Sequence, residues 1–512
     1  MPNDTNGKVY LVGAGPGDPE LITAKGLRCI AEADVLIYDY LAAKALLHHA
    51  RNDCERIYVG KKGGDHTLSQ DGINRLIADK ARDGKIVTRL KGGDPFIFGR
   101  GGEEAEILEQ AGIAFEIVPG VTSAIAAPAY AGIPLTHRQY TSTVAFITGH
   151  EDPTKNESNI DWQALATGIG TLVFLMGVKN LPKIVAQLSK HGRASHTPVA
   201  LVRWGTTTRQ RTVTGTLENI VQRADKAGLK APAIVVVGEV VGLRDTLQWF
   251  EKRPLLGKRI VVTRARAQAS DLVQRLSRLG AECIECPTIE VVAPESWQAL
   301  DRALEMLNTY QWLVFTSVNG VQFFFDRLFK KGLDTRALGH LKTAAIGPVT
   351  AQRMRQLGLN TDIMPESYRA ESVVEAFSKQ AIKGAKVLLP RAKEARPVLP
   401  LELERMGAKV DEVTIYQTIQ SAEGSKALIE QLHLGRIDMV TFTSSSTVRN
   451  FKALLPEESI DALMASVTVA SIGPITAETA ESQGLKAEIV AEEYTIDGLC
   501  NAIVEHYSAS TS

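Results

Sequence analysis

Leu11–Thr23, LVGAGPGDPELIT, continues the apolar run KVY and reads as a strand breaking into a glycine-rich turn. A dinucleotide-binding turn would carry G-x-G-x-x-G here, so that bare backbone and a helix N-terminus reach a pyrophosphate. The glycines are Gly13, Gly15 and Gly17, and Asp18 takes the third place. A carboxylate there repels a pyrophosphate, Pro16 removes one backbone donor, and Pro19 stiffens the exit. Asp39, ending VLIYD, stands where a ribose-binding acid would lie, so the likeness to a nucleotide site is a decoy with two parts. The turn reads as the first strand-end loop of an α/β enzyme that does not bind a phosphate.

Outward from it, short apolar runs alternate with helical patterns: ADVLIYD, RIYVGK, KIVTRLKGG, AFEIVPG. That rhythm predicts an α/β fold of parallel sheets covered by helices. At 512 residues the chain is too long for one core, and its 44% hydrophobic content is ample for several. The charged stretch EKRPLLGKR interrupts the rhythm, which places a linker at 249–256 between domains over 8–248 and 257–507. The 58 basic and 58 acidic residues cancel, so neither nucleic acid nor an anionic membrane is expected as partner. No apolar run approaches the roughly 20 residues of a membrane-spanning helix, and the opening MPNDTNGK lacks signal-peptide character. A soluble, cytoplasmic protein is expected. Five scattered cysteines argue against a disulfide framework, and the pair Cys283 and Cys286 reads as two small strand residues. His66 and His137 have no second ligand at metal spacing, so no metal is assigned.

Further glycine-rich loops follow other strands: RLKGGDPFIFGRGGEE (89–104), VPGVTSAIAAPAYAGIPLTHR (118–138), FLMGV (174–178) and RWGTTTRQR (203–211). Small residues at strand ends open room for a ligand against backbone. Lys61, Lys62, Arg89, Lys91, Arg100, His137, Arg138 and Arg203 lie in or beside these motifs and could grip carboxylates.

In this order, and with VGKKGGDH (59–66), the motifs of about residues 8–248 resemble the tetrapyrrole methylase family, and within it the uroporphyrinogen-III C-methyltransferases. The resemblance implies a two-lobed fold, lobes about 8–137 and 138–248, and two methyl transfers from S-adenosylmethionine to uroporphyrinogen III. The products are precorrin-2, a precursor of siroheme and cobalamin, and S-adenosylhomocysteine. It carries cofactor contacts onto Pro16, Gly92, Gly93, Asp94, Ile97, Thr122, Ser123, Met176 and Gly205, a proton acceptor onto Asp39 and a proton donor onto Lys61. It also implies a homodimer formed through this half.

The second half repeats itself. RIVVTRAR (259–266) matches KVLLPRAK (386–393), and the FTS at Phe315 matches the FTS at Phe442, each 127 residues apart. One residue is then lost, and IGPVTA (346–351) matches IGPITA (472–477). Two copies of so long a unit predict two similar lobes with a ligand cleft. The loops offer hydroxyls and amides without a nucleophile and its base, and His433 has no evident partner. Symmetry fails at Tyr416, which aligns with Ile289.

This half, about 257–505, resembles the uroporphyrinogen-III synthases through VVTRA, FTS, IGPxTA, IYQT and FTSSSTV. The resemblance implies two α/β lobes that exchange chain segments: 257–292 with 419–507, and 293–418. It implies cofactor-free closure of hydroxymethylbilane with inversion of the last ring. Tyr416 would assist loss of the hydroxyl, and Thr263, Arg264, Ser317, Thr443, Ser444, Ser445 and Thr476 would line the cleft. Two other readings compete: a nicotinamide oxidoreductase, and a methyltransferase whose C-terminal half only binds a tetrapyrrole.

Overall fold

The computed structural model describes residues 7–60, 68–150, 159–263, 266–286, 289–365, 370–395, 397–420, 425–456 and 460–509. Lys61, Lys62, His66 and Arg264 lie outside the described residues.

Strands β1 (Lys8–Gly13), β2 (Val35–Tyr38), β3 (Glu55–Tyr58), β4 (Ile86–Lys91) and β5 (Ala114–Val118) form a wholly parallel sheet in the order β3-β2-β4-β1-β5. Val9, Leu11 and Val12 of β1 are fully buried, as a central strand covered on both faces requires. The turn after β1 is built from caps. The Asp18 carboxylate accepts the Glu20 amide, and the Thr23 hydroxyl accepts the Gly26 amide at 3.0 Å to start the helix Ala24–Glu32.

The second sheet holds β6 (Val144–Thr148), β7 (Thr171–Leu175), β8 (Pro198–Arg203), β9 (Arg211–Thr216) and β10 (Ala233–Val237), in the order β6-β7-β10-β8-β9. Here the expectation of a parallel sheet fails. Only β6 and β7 run parallel, while β10 is antiparallel to β7 and β8, and β8 to β9. Residues 204–210 are too few for the crossover of about a dozen residues that parallel neighbours need. The helix Ser123–Tyr130 covers this sheet, with Ala124 and Ala127 against Val173, Ala200 and Val236.

The stretch read as a linker folds onto the first unit. Phe250 and Leu255 are buried, Trp249 and Phe250 surround the Tyr130 ring, and Glu251 pairs with Arg244 at 2.5 Å. That unit runs up to Lys258 and takes in Leu276–Glu282; the other holds Arg259–Arg275 and Cys283–His506.

The second unit contains β11 (Arg259–Val262), β12 (Glu282–Glu285), β13 (Ile289–Val292), β14 (Trp312–Phe315), β15 (Lys342–Ala345), β16 (Lys386–Ala392), β17 (Lys409–Gln420), β18 (Met439–Phe442), β19 (Thr468–Ser471) and β20 (Ile489–Val490). They form two sheets, β12-β11-β18-β19-β20 and β13-β17-β16-β14-β15. The chain therefore leaves the first of these after β12, completes the second, and returns at β18. The sequence repeat is a repeat of packing: Phe315 meets Phe324 edge-on at 5.4 Å and 74°, and Phe442 meets Phe451 at 5.4 Å and 71°. Cys286 belongs to the core around Phe442, where burial pushes its thiol up to about 11; all five cysteines are free. Among the described residues no helix is long and apolar enough to cross a membrane, and no cluster of three or more His, Cys, Asp or Glu could hold a metal ion.

Candidate active sites

In the first unit the loops after β1, β4 and β5 meet backbone to backbone. Gly93 donates to the Gly15 carbonyl at 2.7 Å, and Gly15 donates back at 3.3 Å. A Cβ on Gly13 would lie 2.5 Å from the Cα of Gly120, and one on Gly120 would lie 2.3 Å from the Gly93 carbonyl oxygen. Only glycine permits this approach, and the strand ends are left lined by backbone. Gly93 itself has φ +70°. Gly92 lies against Leu41, which a Cβ would reach at 2.5 Å.

The acids of these loops are spent internally. Asp94 accepts the amides of Phe96 at 2.8 Å and of Gly120 at 2.9 Å, tying the β4 loop to the β5 loop. Asp18 caps its turn and accepts the Tyr130 hydroxyl at 2.8 Å. Thr122 caps the helix that Ser123 begins and is itself buried, while Ile97 and Met176 are exposed.

The second sheet brings its own strand-end loops to the same place. The Asp18 amide donates to the Thr206 hydroxyl at 3.0 Å, and Tyr40 meets Trp204 edge-on at 6.1 Å. A Cβ on Gly205 would lie 2.4 Å from that of Ala127, so only glycine lets this loop rest on the helix after β5. Pro16, Gly92, Gly93, Asp94, Thr122, Ser123 and Gly205 are thereby placed on converging loops, and Ile97 and Met176 lie on loops that leave the same edges of the two sheets. Among the described residues the non-glycine positions with positive φ are Phe98, Arg100, Met176, Trp204 and Thr206, all in the loops after β4, β7 and β8. Strained backbone gathers where a ligand is held. Sequence reasoning reached Met176 through resemblance but missed Phe98, Trp204 and Thr206, because their residue types do not announce a left-handed backbone.

Asp39 stands at the end of β2. It accepts the Leu41 amide at 3.1 Å, and Arg89 approaches its other oxygen at 3.4 Å. Both line a cavity of about 400 Å³ with Tyr40, Arg100, Gly60 and Leu68, the last two flanking the segment that carries Lys61. Lys91, expected among the carboxylate-gripping cations, turns inward: its ammonium donates to Glu104 at 2.7 Å, both groups are buried, and burial lowers the lysine pKa. Arg89 lies 3.5 Å from the same Glu104 oxygen, so a buried net of three charges, Arg89, Lys91 and Glu104, backs Asp39.

In the second unit the hydroxyl loops cap helices. Ser317 accepts the Gly320 amide at 2.9 Å, Ser444 accepts the Thr447 amide at 3.3 Å, and Ser445 accepts the Thr479 hydroxyl at 2.7 Å. Thr443 is half-buried at the end of β18, and Thr476 is buried in the first turn of the helix Pro474–Ser482. Thr263 is only 1% exposed and donates to the Thr441 carbonyl at 2.8 Å, holding β11 to β18. Tyr416 is buried, its hydroxyl 2.9 Å from that of Ser317, and burial raises its pKa above that of an ordinary phenol, which is already neutral at pH 7.

The comparisons agree with this division. The family described as Tetrapyrrole (Corrin/Porphyrin) Methylases matches residues 8–221, and Uroporphyrinogen-III synthase HemD matches 270–501. The "Porphyrin biosynthesis protein HemD" of Ruminiclostridium josui is 39% identical over 98% of both chains. The "Uroporphyrinogen-III C-methyltransferase" of Bacillus subtilis is 44% identical over 71% of this chain and 74% of its own. The "S-adenosyl-L-methionine-dependent uroporphyrinogen III methyltransferase" of Methanosarcina barkeri is 58% identical over 47% of this chain and 94% of its own. Glycine-lined strand-end loops, followed by a duplicated unit whose symmetry breaks at Tyr416, are thus found in a chain that belongs to the family joining a tetrapyrrole methylase to a uroporphyrinogen-III synthase.

Proposed function

We propose that the chain carries out two consecutive steps of tetrapyrrole synthesis. Its second unit closes hydroxymethylbilane to uroporphyrinogen III, and its first unit methylates that product twice to precorrin-2, on the way to siroheme and cobalamin. The observation that carries this is the match along 98% of both chains to a relative of the same two-part build, since it covers both halves at once.

The converging loops suit S-adenosylmethionine. Their glycine-lined backbone offers close approach, and the acids at Asp18 and Asp94 are compatible with a cationic ligand and wrong for a pyrophosphate. When bound, S-adenosylmethionine supplies an electrophilic methyl group. Pro16, Gly92, Gly93, Asp94, Ile97, Thr122, Ser123, Met176 and Gly205 hold it; Asp94 is fixed through its carboxylate and so contributes by placing its loop. Asp39 accepts the proton that the methylated ring position sheds, with its carboxylate held by the Leu41 amide and Arg89. The donor role of Lys61 rests on the family match.

In the second unit Ser317 and Tyr416 face the departing hydroxyl. The neutral phenol donates its proton, the hydroxyl leaves as water, and the phenolate recovers a proton as the closing ring loses one. Ser444, Ser445, Thr443 and Thr476 with Arg264 receive substrate carboxylates; Thr263 is left out of that set because its hydroxyl is spent on Thr441. Pairing of two copies through the first unit and a reducing, cytoplasmic setting for the free thiols belong to the same reading.

Incubation of the full chain with hydroxymethylbilane alone should yield isomer III, whereas spontaneous closure yields isomer I. Adding S-adenosylmethionine should then convert the product to precorrin-2. A product that stays isomer I while supplied uroporphyrinogen III is still methylated would leave the second unit as a binding module.

A further inference from the structure

Tyr416 does not stand alone. Its ring is stacked on Phe323, with centroids 5.7 Å apart and planes 17° apart, and Phe323 is stacked in turn on Trp297 at 6.4 Å and 29°. Arg327 lies over the Trp297 ring, 5.2 Å from its centroid, and is held by Asp301 through two bonds of 2.7 and 2.6 Å. The bond to Ser317 fixes the phenol at one point, about which the ring could still turn; a stacked face removes that freedom.

The duplicated lobe separates this arrangement from ordinary core packing. With Ser317 on Ser444, Val321 on Val448 and Phe324 on Phe451, the helix Val318–Lys330 aligns with the helix Ser445–Leu454. Phe324 and Phe451 are fully buried and do the same work in both lobes. Phe323, only partly buried, falls on Asn450, just as Tyr416 falls on Ile289 and Trp297 on Gly424. The sister lobe therefore keeps its shared core with Asn450 where Phe323 stands, and the three aromatic residues meet in one core although Trp297 and Phe323 come from the first copy of the repeat and Tyr416 from the second.

We propose that Phe323, backed by Trp297, is a positioning residue that sets the plane of the Tyr416 phenol for proton donation during ring closure. The proposal rests on the role given to Tyr416 above. A misaimed donor loses rate without losing substrate affinity.

The test uses the full chain without S-adenosylmethionine, following isomer III from hydroxymethylbilane in Phe323→Leu, Phe323→Tyr, Tyr416→Phe and the double variant Phe323→Leu/Tyr416→Phe, with melting temperatures alongside. Phe323→Leu should lower kcat about three- to tenfold at unchanged KM, the scale of one aromatic pair, and Phe323→Tyr should restore it. In the Tyr416→Phe background the leucine should cost nothing further. Equal losses in both backgrounds, a rise in KM at unchanged kcat, or a wild-type rate for Phe323→Leu beside a slow Tyr416→Phe would each overturn the positioning role. A wild-type rate for Tyr416→Phe would instead remove the role of Tyr416, and the proposal with it. Should Phe323→Leu not fold, Phe323→Met takes its place in the same cycle.

Discussion

Asp18 stands where a dinucleotide-binding turn would have its third glycine, and its carboxylate holds a turn together: it caps Glu20 and accepts Tyr130. Asp18→Gly, which restores the fingerprint, should therefore destabilise the first unit by about 1–2 kcal/mol, the cost of losing a cap and leaving a half-buried phenol without its partner. It should not create nicotinamide binding. Thermal melting together with an NAD titration checks both parts, and a stable variant that binds NAD would contradict the reading. Asp18 was legible as an anomaly from its place in the motif, but Tyr130, 112 residues away, was not. Lys91 shows the opposite case: a lysine in a loop motif reads as a grip for substrate, and the fold turns it onto buried Glu104. Nothing local in RLKGGD distinguishes an inward lysine from an outward one.

At the level of elements, the helices of the second unit are held by charges as well as caps. Asp301, on the helix Gln298–Glu305, bonds Arg327 and Lys331 of the next helix and its end, and the Arg327 guanidinium draws its pKa down to about 2. A carboxyl depressed on folding contributes stability that is present above its unfolded pKa of 3.8 and is lost as pH falls towards 2. Asp301→Asn should thus lose about 1–2 kcal/mol at pH 7, and the gap to wild type should narrow as pH falls from 4 to 2. Urea unfolding at both ends of that range measures it; a gap independent of pH would assign the loss to something other than ionisation. Element types were legible from pattern, as in the fully buried β7 and β10. Strand direction in the second sheet was not, because apolar runs look alike whichever way a strand runs, and the short 204–210 connection was the only sequence sign.

For the molecule as a whole, two units with separate cores predict separable chemistries. Asp39→Ala should abolish methyl transfer and leave closure of hydroxymethylbilane at the wild-type rate, while Tyr416→Phe should slow closure about tenfold or more and leave methylation of supplied uroporphyrinogen III untouched. Assaying each variant for both reactions checks this, and a loss of both reactions in either variant would contradict it. The sequence by itself determined the succession of two activities, the strand-end loops of the first unit, the duplication in the second and its break at Tyr416. These are carried by residue types at fixed local spacing, where glycine, proline and hydroxyl residues have distinct backbone consequences. Only the tertiary structure decided which acids and cations are spent internally, which loop residues are strained, and that Tyr416 leans on an aromatic column. Burial, partner choice and ring stacking arise between residues distant in the chain, such as Asp18 with Tyr130 and Phe323 with Tyr416, and no local spacing encodes them.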